Sequence, residues 1–275
     1  IFDQNEDLKE LCFNGPLEKL SYTPYTQPCM VMVATIITDL LKEHGIVPDY
    51  TAGLSLGEYS ALYCAGVFKR QQVIDLARFR GKVMQEAVSE IESEMIAVLG
   101  MKEELLQDLC HQASSLGVVS ISNYNCPGQL VVAGEKKAVE KVKELALENK
   151  ARRVIALNTS GPFHTSLLKE ASLALKERFK KETFHEMKIP VIFNTLGHEI
   201  EYQSIPEILE KQVMSPVYFE KSIRYMIDQG VDTIIEVGPG KVLSGFVRKI
   251  DRSIQLYQIE DMESLKKTVK ALKGE

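Results

Sequence analysis

The sequence contains a glycine-flanked serine, Gly53-Leu54-Ser55-Leu56-Gly57, set between a short predicted strand and a predicted helix. Nucleophilic chemistry explains that spacing. A sharp strand-to-helix turn throws the Ser55 hydroxyl clear of a sheet and leaves no room for side chains at the two glycine positions. The following helix aims its N-terminal amides at charge developing on an acyl oxygen, which makes the Leu56 amide a candidate oxyanion donor. The pentapeptide alone also fits an ordinary glycine-flanked turn; the strand–turn–helix setting favours the nucleophile.

A serine nucleophile needs a base, most often histidine. Five histidines are available, and four have ordinary settings. His44 precedes Gly45 at a helix end, where it can cap carbonyls. His111 lies on a helix, and His185 and His198 fall in polar connections. His164 instead sits in Ser160-Gly161-Pro162-Phe163-His164, a loop between the strand ending near Asn158 and the next helix. In parallel α/β sheets that carboxyl-end position is where sites are built. No Asp or Glu stands out as a third member. The expectation is a dyad whose imidazole is oriented by another group, such as a backbone carbonyl.

Arg80 is the third residue of chemical interest. On a helix predicted over residues 71–88, Val73, Leu76, Val83, Met84 and Ala87 form one apolar stripe at about 100° per residue, and Arg80 falls in its middle. A guanidinium there keeps its proton and is costly to bury unpaired, so it requires an anion. A structural carboxylate would serve. So would a substrate carboxylate gripped in a bidentate fork, which would make the acyl donor itself an acid.

Alternating elements must position these groups. Helices are predicted over residues 27–44 and 57–65, with a strand over 49–54. The middle of the chain reads strand 95–101, helix 103–115, strand 117–125, strand 129–134, helix 136–150 and strand 151–158. That βαββαβ order is the ferredoxin-like pattern, and it predicts a small domain over residues 95–158 inserted in a larger one over 1–94 and 159–275. After it come a helix following His164, strands over 189–195 and 233–237, and helices between and after them. Such βα alternation implies an α/β fold with a mostly parallel sheet covered on both faces.

Composition narrows the class. The 275 residues carry 33 basic and 38 acidic side chains, a formal charge of −5, without a Lys/Arg run interleaved with aromatics. That argues against nucleic acid as a partner. The five cysteines form no CxxC pair and fit a reducing cytoplasm better than a disulfide framework or a zinc site. The longest apolar stretch, residues 29–41, is cut by Thr35, Thr38 and Asp39 and is too short and polar to span a membrane.

With these residues in view, the chain resembles the malonyl-CoA:acyl carrier protein transacylases, the acyltransferases of fatty-acid and polyketide synthesis. The resemblance covers nearly the whole chain. Gly53-Leu54-Ser55-Leu56-Gly57-Glu58-Tyr59-Ser60-Ala61-Leu62 is similar to the nucleophile segment of that family, and Arg80-Gly81-Lys82-Val83-Met84-Gln85 to the one whose arginine holds the malonyl carboxylate. Asn123-Tyr124-Asn125-Cys126-Pro127-Gly128-Gln129 resembles a cleft-lining segment, Gly161-Pro162-Phe163-His164 the one with the catalytic histidine, and Glu236-Val237-Gly238-Pro239-Gly240 a late motif.

The resemblance implies an α/β-hydrolase-like large domain, a ferredoxin-like small domain and an active site between them. It implies ping-pong transfer from malonyl-CoA to an acyl carrier protein through an ester on Ser55, with His164 as base and Arg80 on the malonyl carboxylate. Leu56, Leu54, Phe163, Asn125 and Tyr218 would line the substrate site. No metal and no cofactor beyond the coenzyme A thioester is implied, and a monomer is the plain default. Three positions depart from the family pattern. Leu54 stands where many members have histidine. Tyr218 stands where some have a glutamine or asparagine whose carbonyl orients the histidine. The family's N-terminal strand and glycine/glutamine-rich loop, source of a second oxyanion donor, are not seen from Ile1 onward, which predicts a longer natural protein. Two other readings compete: a serine thioesterase or esterase of the same fold, and a non-catalytic module that binds carrier protein or acyl-CoA.

Overall fold

The structure is a computed structural model describing residues 5–274. Helices α1 (Glu6–Asn14), α2 (Leu17–Leu20) and α3 (Thr23–Glu43) precede strand β1 (Thr51–Ala52), and helices α4 (Gly57–Cys64) and α5 (Arg70–Ala87) follow it. Helix α3 starts four residues earlier than its apolar period predicts. Pro24 lies in its first turn, where a missing N–H costs nothing, so the helix can begin there. The predicted stripe of α5 is its buried face, made of Val73, Ile74, Leu76, Ala77, Arg80, Gly81, Val83 and Met84. Gly81 lets the two long helices meet closely, since a Cβ there would lie 2.8 Å from the Thr23 carbonyl oxygen.

The middle of the chain forms β2 (Ser93–Leu99), α6 (Glu103–Ala113), β3 (Val119–Cys126), β4 (Gln129–Glu135), α7 (Lys136–Glu148) and β5 (Arg153–Ala156). The strands make one antiparallel sheet in the order β3-β4-β2-β5, with Ile96 opposite both Val132 and Ala156. Alternation along each strand sorts its two faces. Ile96, Val98, Ile121 and Val132 pack with Leu106, Leu109, Val139 and Val142 of α6 and α7. Met95, Ala97, Val131 and Ala133 form a separate cluster on which Ile155, Leu157 and Phe163 pack.

The remainder comprises α8 (Lys169–Phe179), β6 (Val191–Ile192), α9 (Ile205–Gln212), α10 (Phe219–Asp228), β7 (Thr233–Val237), α11 (Val242–Ile250), β8 (Gln255–Ile259) and α12 (Met262–Lys273). The fold is therefore mixed α/β, with parallel and antiparallel sheets. Its parallel pairing differs from the single sheet expected. Among the described residues it consists of two separate two-stranded ladders, β1 with β6 and β7 with β8. The first ladder is short because both of its chains leave it at once: β1 bends into the turn around Ser55, and the residues after Ile192 turn at Asn194. The main core lies beneath, where Tyr59 and Leu62 of α4 and Leu76 of α5 meet Leu175, Phe193 and Leu209.

No helix among the described residues is long and apolar enough to cross a membrane. All five cysteines are unpaired.

Candidate active site

Strand β1 ends at Ala52 and α4 begins at Gly57, so residues 53–56 make the turn that carries the serine. Ser55 has φ +52°, and His164 has φ +64°. For non-glycine residues such left-handed conformations cost about 1–3 kcal/mol each and persist only where surrounding contacts hold them. The two glycines do different jobs, contrary to expectation. A Cβ on Gly53 would lie 2.0 Å from the Gly57 carbonyl carbon, whereas one on Gly57 would meet nothing within 4 Å. Gly53 is required by the turn itself. Gly57 leaves open space beside the serine.

The turn is fastened by Asn194, which follows β6 by two residues. The Ser55 N–H donates to Asn194 Oδ1 at 2.5 Å, and Asn194 Nδ2 donates to the Gly53 carbonyl at 2.5 Å. The Asn194 N–H in turn donates to Glu58 Oε2 at 2.6 Å. With the Ser55 N–H occupied, the Leu56 N–H, which follows the serine and opens the helix, donates to no group among the described residues.

The Ser55 hydroxyl lies 2.7 Å from His164 Nε2. His164 Nδ1 faces the carbonyls of Gln212 at 2.9 Å and Ser215 at 3.1 Å. Both are acceptors, so Nδ1 carries the proton and Nε2 is left to accept from the serine. Burial, reinforced by the positive charge of Arg80, pushes the imidazole pKa down to about 4. Tyr218 does not orient the histidine. Its carbonyl is taken by the N–H and hydroxyl of Ser222, one turn into α10, and its ring stacks on Tyr124 at 4.9 Å.

Arg80 reaches this pair from α5 and is only 1% exposed. Its Nη1 donates to Gln27 Oε1 at 2.8 Å, and its Nη2 to Ser55 Oγ at 3.1 Å and Gln212 Oε1 at 3.0 Å. The Tyr59 ring lies 5.5 Å from the guanidinium carbon. No carboxylate among the described residues forms an ion pair with it. Glu58 is the nearest candidate, but burial outweighs the pull of Arg80 and raises its pKa to about 8. Burial thus favours the neutral form of the carboxyl that lies beside the guanidinium.

The remaining expected positions scatter around this centre. Leu54 packs on the apolar cluster of Ile192, Val217 and Phe219. Phe163 packs on both the main core and the inner face of the small sheet. Asn125 is buried on β3 with its Oδ1 unpartnered among the described residues. Sequence reasoning did not find Gln27, Gln212, Glu58 and Asn194. Gln212 could have been flagged by the signal that exposed Arg80, because it continues the buried face of Ile208 and Leu209 on α9. Among the described residues no group of three or more His, Cys, Asp or Glu is placed to hold a metal ion.

A serine on a strained strand-to-helix turn, a neutral imidazole on its oxygen and an unpartnered amide next in the chain define a site suited to acyl transfer. The chain matches the acyl transferase domain family over residues 3–270 and belongs to that family. It is 41% identical over 282 residues to the malonyl CoA-acyl carrier protein transacylase of Bacillus subtilis (strain 168), covering 100% of this chain and 89% of that protein. The crystal structure of the malonyl CoA-acyl carrier protein transacylase from Clostridium perfringens superposes with a TM-score of 0.94 at 41% identity, over 98% of this chain and 85% of that one. A malonyl-transacylase solved in complex with its type II PKS acyl-carrier protein gives 0.92 at 36% identity, over 98% and 87%.

Proposed function

We propose that this chain transfers a malonyl group from coenzyme A to the phosphopantetheine thiol of an acyl carrier protein, through an ester on Ser55. One observation carries the choice of acyl group: the buried Arg80 guanidinium, beside the Ser55 hydroxyl, forms no ion pair with a carboxylate among the described residues. A malonyl donor supplies that carboxylate, whereas an acetyl donor does not.

His164 Nε2 takes the proton as Ser55 Oγ attacks the thioester carbonyl. The new oxyanion accepts from the Leu56 N–H. Collapse breaks the carbon–sulfur bond, and the imidazolium returns its proton to the departing thiolate of coenzyme A. In the second half the carrier's thiol gives its proton to Nε2, its sulfur attacks the ester, and Ser55 leaves with the proton restored. Coenzyme A enters only as part of the substrate, and no resident cofactor is needed. All of these groups come from one chain, so a monomer suffices, and unpaired cysteines suit the reducing cytoplasm.

The βαββαβ succession and the strand order β3-β4-β2-β5 support a ferredoxin-like small domain over residues 95–158. The strand–serine–helix turn and the parallel ladders support an α/β-hydrolase-like large domain over 1–94 and 159–275. Phe163, packed on both, supports a cleft between them where Leu54, Asn125 and Tyr218 contribute lining.

The test is intact-protein mass spectrometry with malonyl-CoA and acetyl-CoA in parallel. Wild type should carry a malonyl adduct that Ser55→Ala abolishes and that holo carrier protein discharges. Arg80→Ala should lose malonyl transfer while sparing or improving acetyl transfer. An equal fall for both donors would make Arg80 structural, and rapid release of free acid without carrier acylation would make the protein a hydrolase.

A further inference from the structure

The Ser55 turn is held by groups that take no part in the chemistry just described. Parallel pairing of Ala52 with Ile192 brings the ends of β1 and β6 side by side, so the residues leaving them, 53–55 and 193–194, run together. Asn194 then spans the turn. Its side-chain oxygen accepts from the Ser55 N–H, and its side-chain nitrogen donates to the Gly53 carbonyl, so one amide closes both sides of the serine peptide. Asn194 is itself fixed from two directions. Its N–H donates to Glu58 Oε2 at 2.6 Å, and its carbonyl accepts from the Tyr218 N–H at 2.9 Å. Asn194 is 1% exposed and Glu58 0%, so water cannot substitute for either contact.

We infer that Asn194, anchored by Glu58, is the positioning residue that keeps Ser55 in its left-handed conformation and aims both its hydroxyl at His164 and the Leu56 N–H at the acyl oxygen. The inference rests on the Ser55 ester proposed above and adds what makes the serine competent. The side-chain amide is suited to the task because the turn presents one donor and one acceptor. A carboxylate would satisfy the first and repel the second, and an alkyl group would satisfy neither. Asn194 differs in kind from Arg80: it touches neither acyl group nor base, so its loss should slow every donor alike.

The experiment measures the single-turnover rate of adduct formation on Ser55 from malonyl-CoA and from acetyl-CoA, with thermal unfolding as a check on folding. Asn194→Ala should lower the rate by about 10²-fold for both donors, the cost expected of a misplaced reacting group, with their ratio unchanged. Asn194→Asp gives a readout that a merely structural role would not move. A protonated carboxyl reproduces the amide, its carbonyl accepting from Ser55 and its O–H donating to Gly53, whereas the ionised form cannot. Its rate relative to wild type should therefore rise as pH is lowered from about 8 to about 6, a range in which a buried carboxyl takes up its proton. Of the charged and titratable groups around it, Glu58, Arg80 and His164, Glu58 is in contact with residue 194 and titrates within the same range, so the series is repeated in a Glu58→Gln background, where the rise should persist. A wild-type rate in Asn194→Ala, or a ratio for Asn194→Asp that stays flat with pH, would overturn the inference. Should Asn194→Ala not fold, the pH series decides alone. Absence of any adduct in wild type would defeat the Ser55 ester itself, an outcome distinct from either.

Discussion

At the level of single residues, the base is set by its surroundings. A histidine free in solution would be half protonated near pH 6.5, but His164 is held to about 4 by burial and Arg80. Only the neutral ring can accept the serine proton, so the acylation rate should hold as pH falls through 6.5 and decline near pH 4. A pH–rate profile for adduct formation checks this; a midpoint near 6.5 would mean an open, solvated imidazole. Stability follows the same sign. Between the two values the unfolded chain binds a proton that the native state refuses, so stability should fall as pH falls, by up to roughly 1.4 kcal/mol per pH unit. Ser55, His164 and Arg80 were legible in the sequence because each violates its local setting: a serine between glycines, a histidine in a loop after a strand, a cation on an apolar stripe. Asn194 was not, because nothing near it in the chain shows that its partners are Gly53 and Ser55, reached only across a parallel ladder.

Among the elements, the small sheet was the most readable. Three of its four strands run seven or eight residues, with one face packed on helices and the other on the cluster around Phe163. The ladder under the serine was overestimated in length, and β8 was not singled out, because Gln255-Leu256-Tyr257-Gln258-Ile259 mixes polar and apolar residues in a strand only partly buried. The turn between β1 and α4 gives the sharpest test at this scale. Gly53→Ala should abolish adduct formation and lower the unfolding temperature, since its Cβ would overlap the Gly57 backbone. Gly57→Ala should fold with an unchanged unfolding temperature, because its Cβ would meet no protein atom, and any loss should fall on transfer alone. Equal damage from both would mean that the turn is crowded on both sides.

Across the whole molecule, Phe163 is the side chain that joins the inner face of the small sheet to the main core, next in sequence to His164. Phe163→Ala should cost on the order of 2 kcal/mol in thermal or denaturant unfolding, less than a fully buried phenylalanine because the ring is only partly buried. An effect confined to turnover, with stability untouched, would remove it from the junction and leave it a lining residue only. The way the site is wired carries a last consequence. Ser55 is separated from His164 by 109 residues, and Gln212, which binds the Ser55 carbonyl, Arg80 and the His164 ring, lies 157 residues beyond the serine. Loops of that length close late, after local helices and hairpins have formed. Capture of Ser55 by an electrophile during refolding is thus a clock for completed tertiary assembly, running behind any optical signal of helix content.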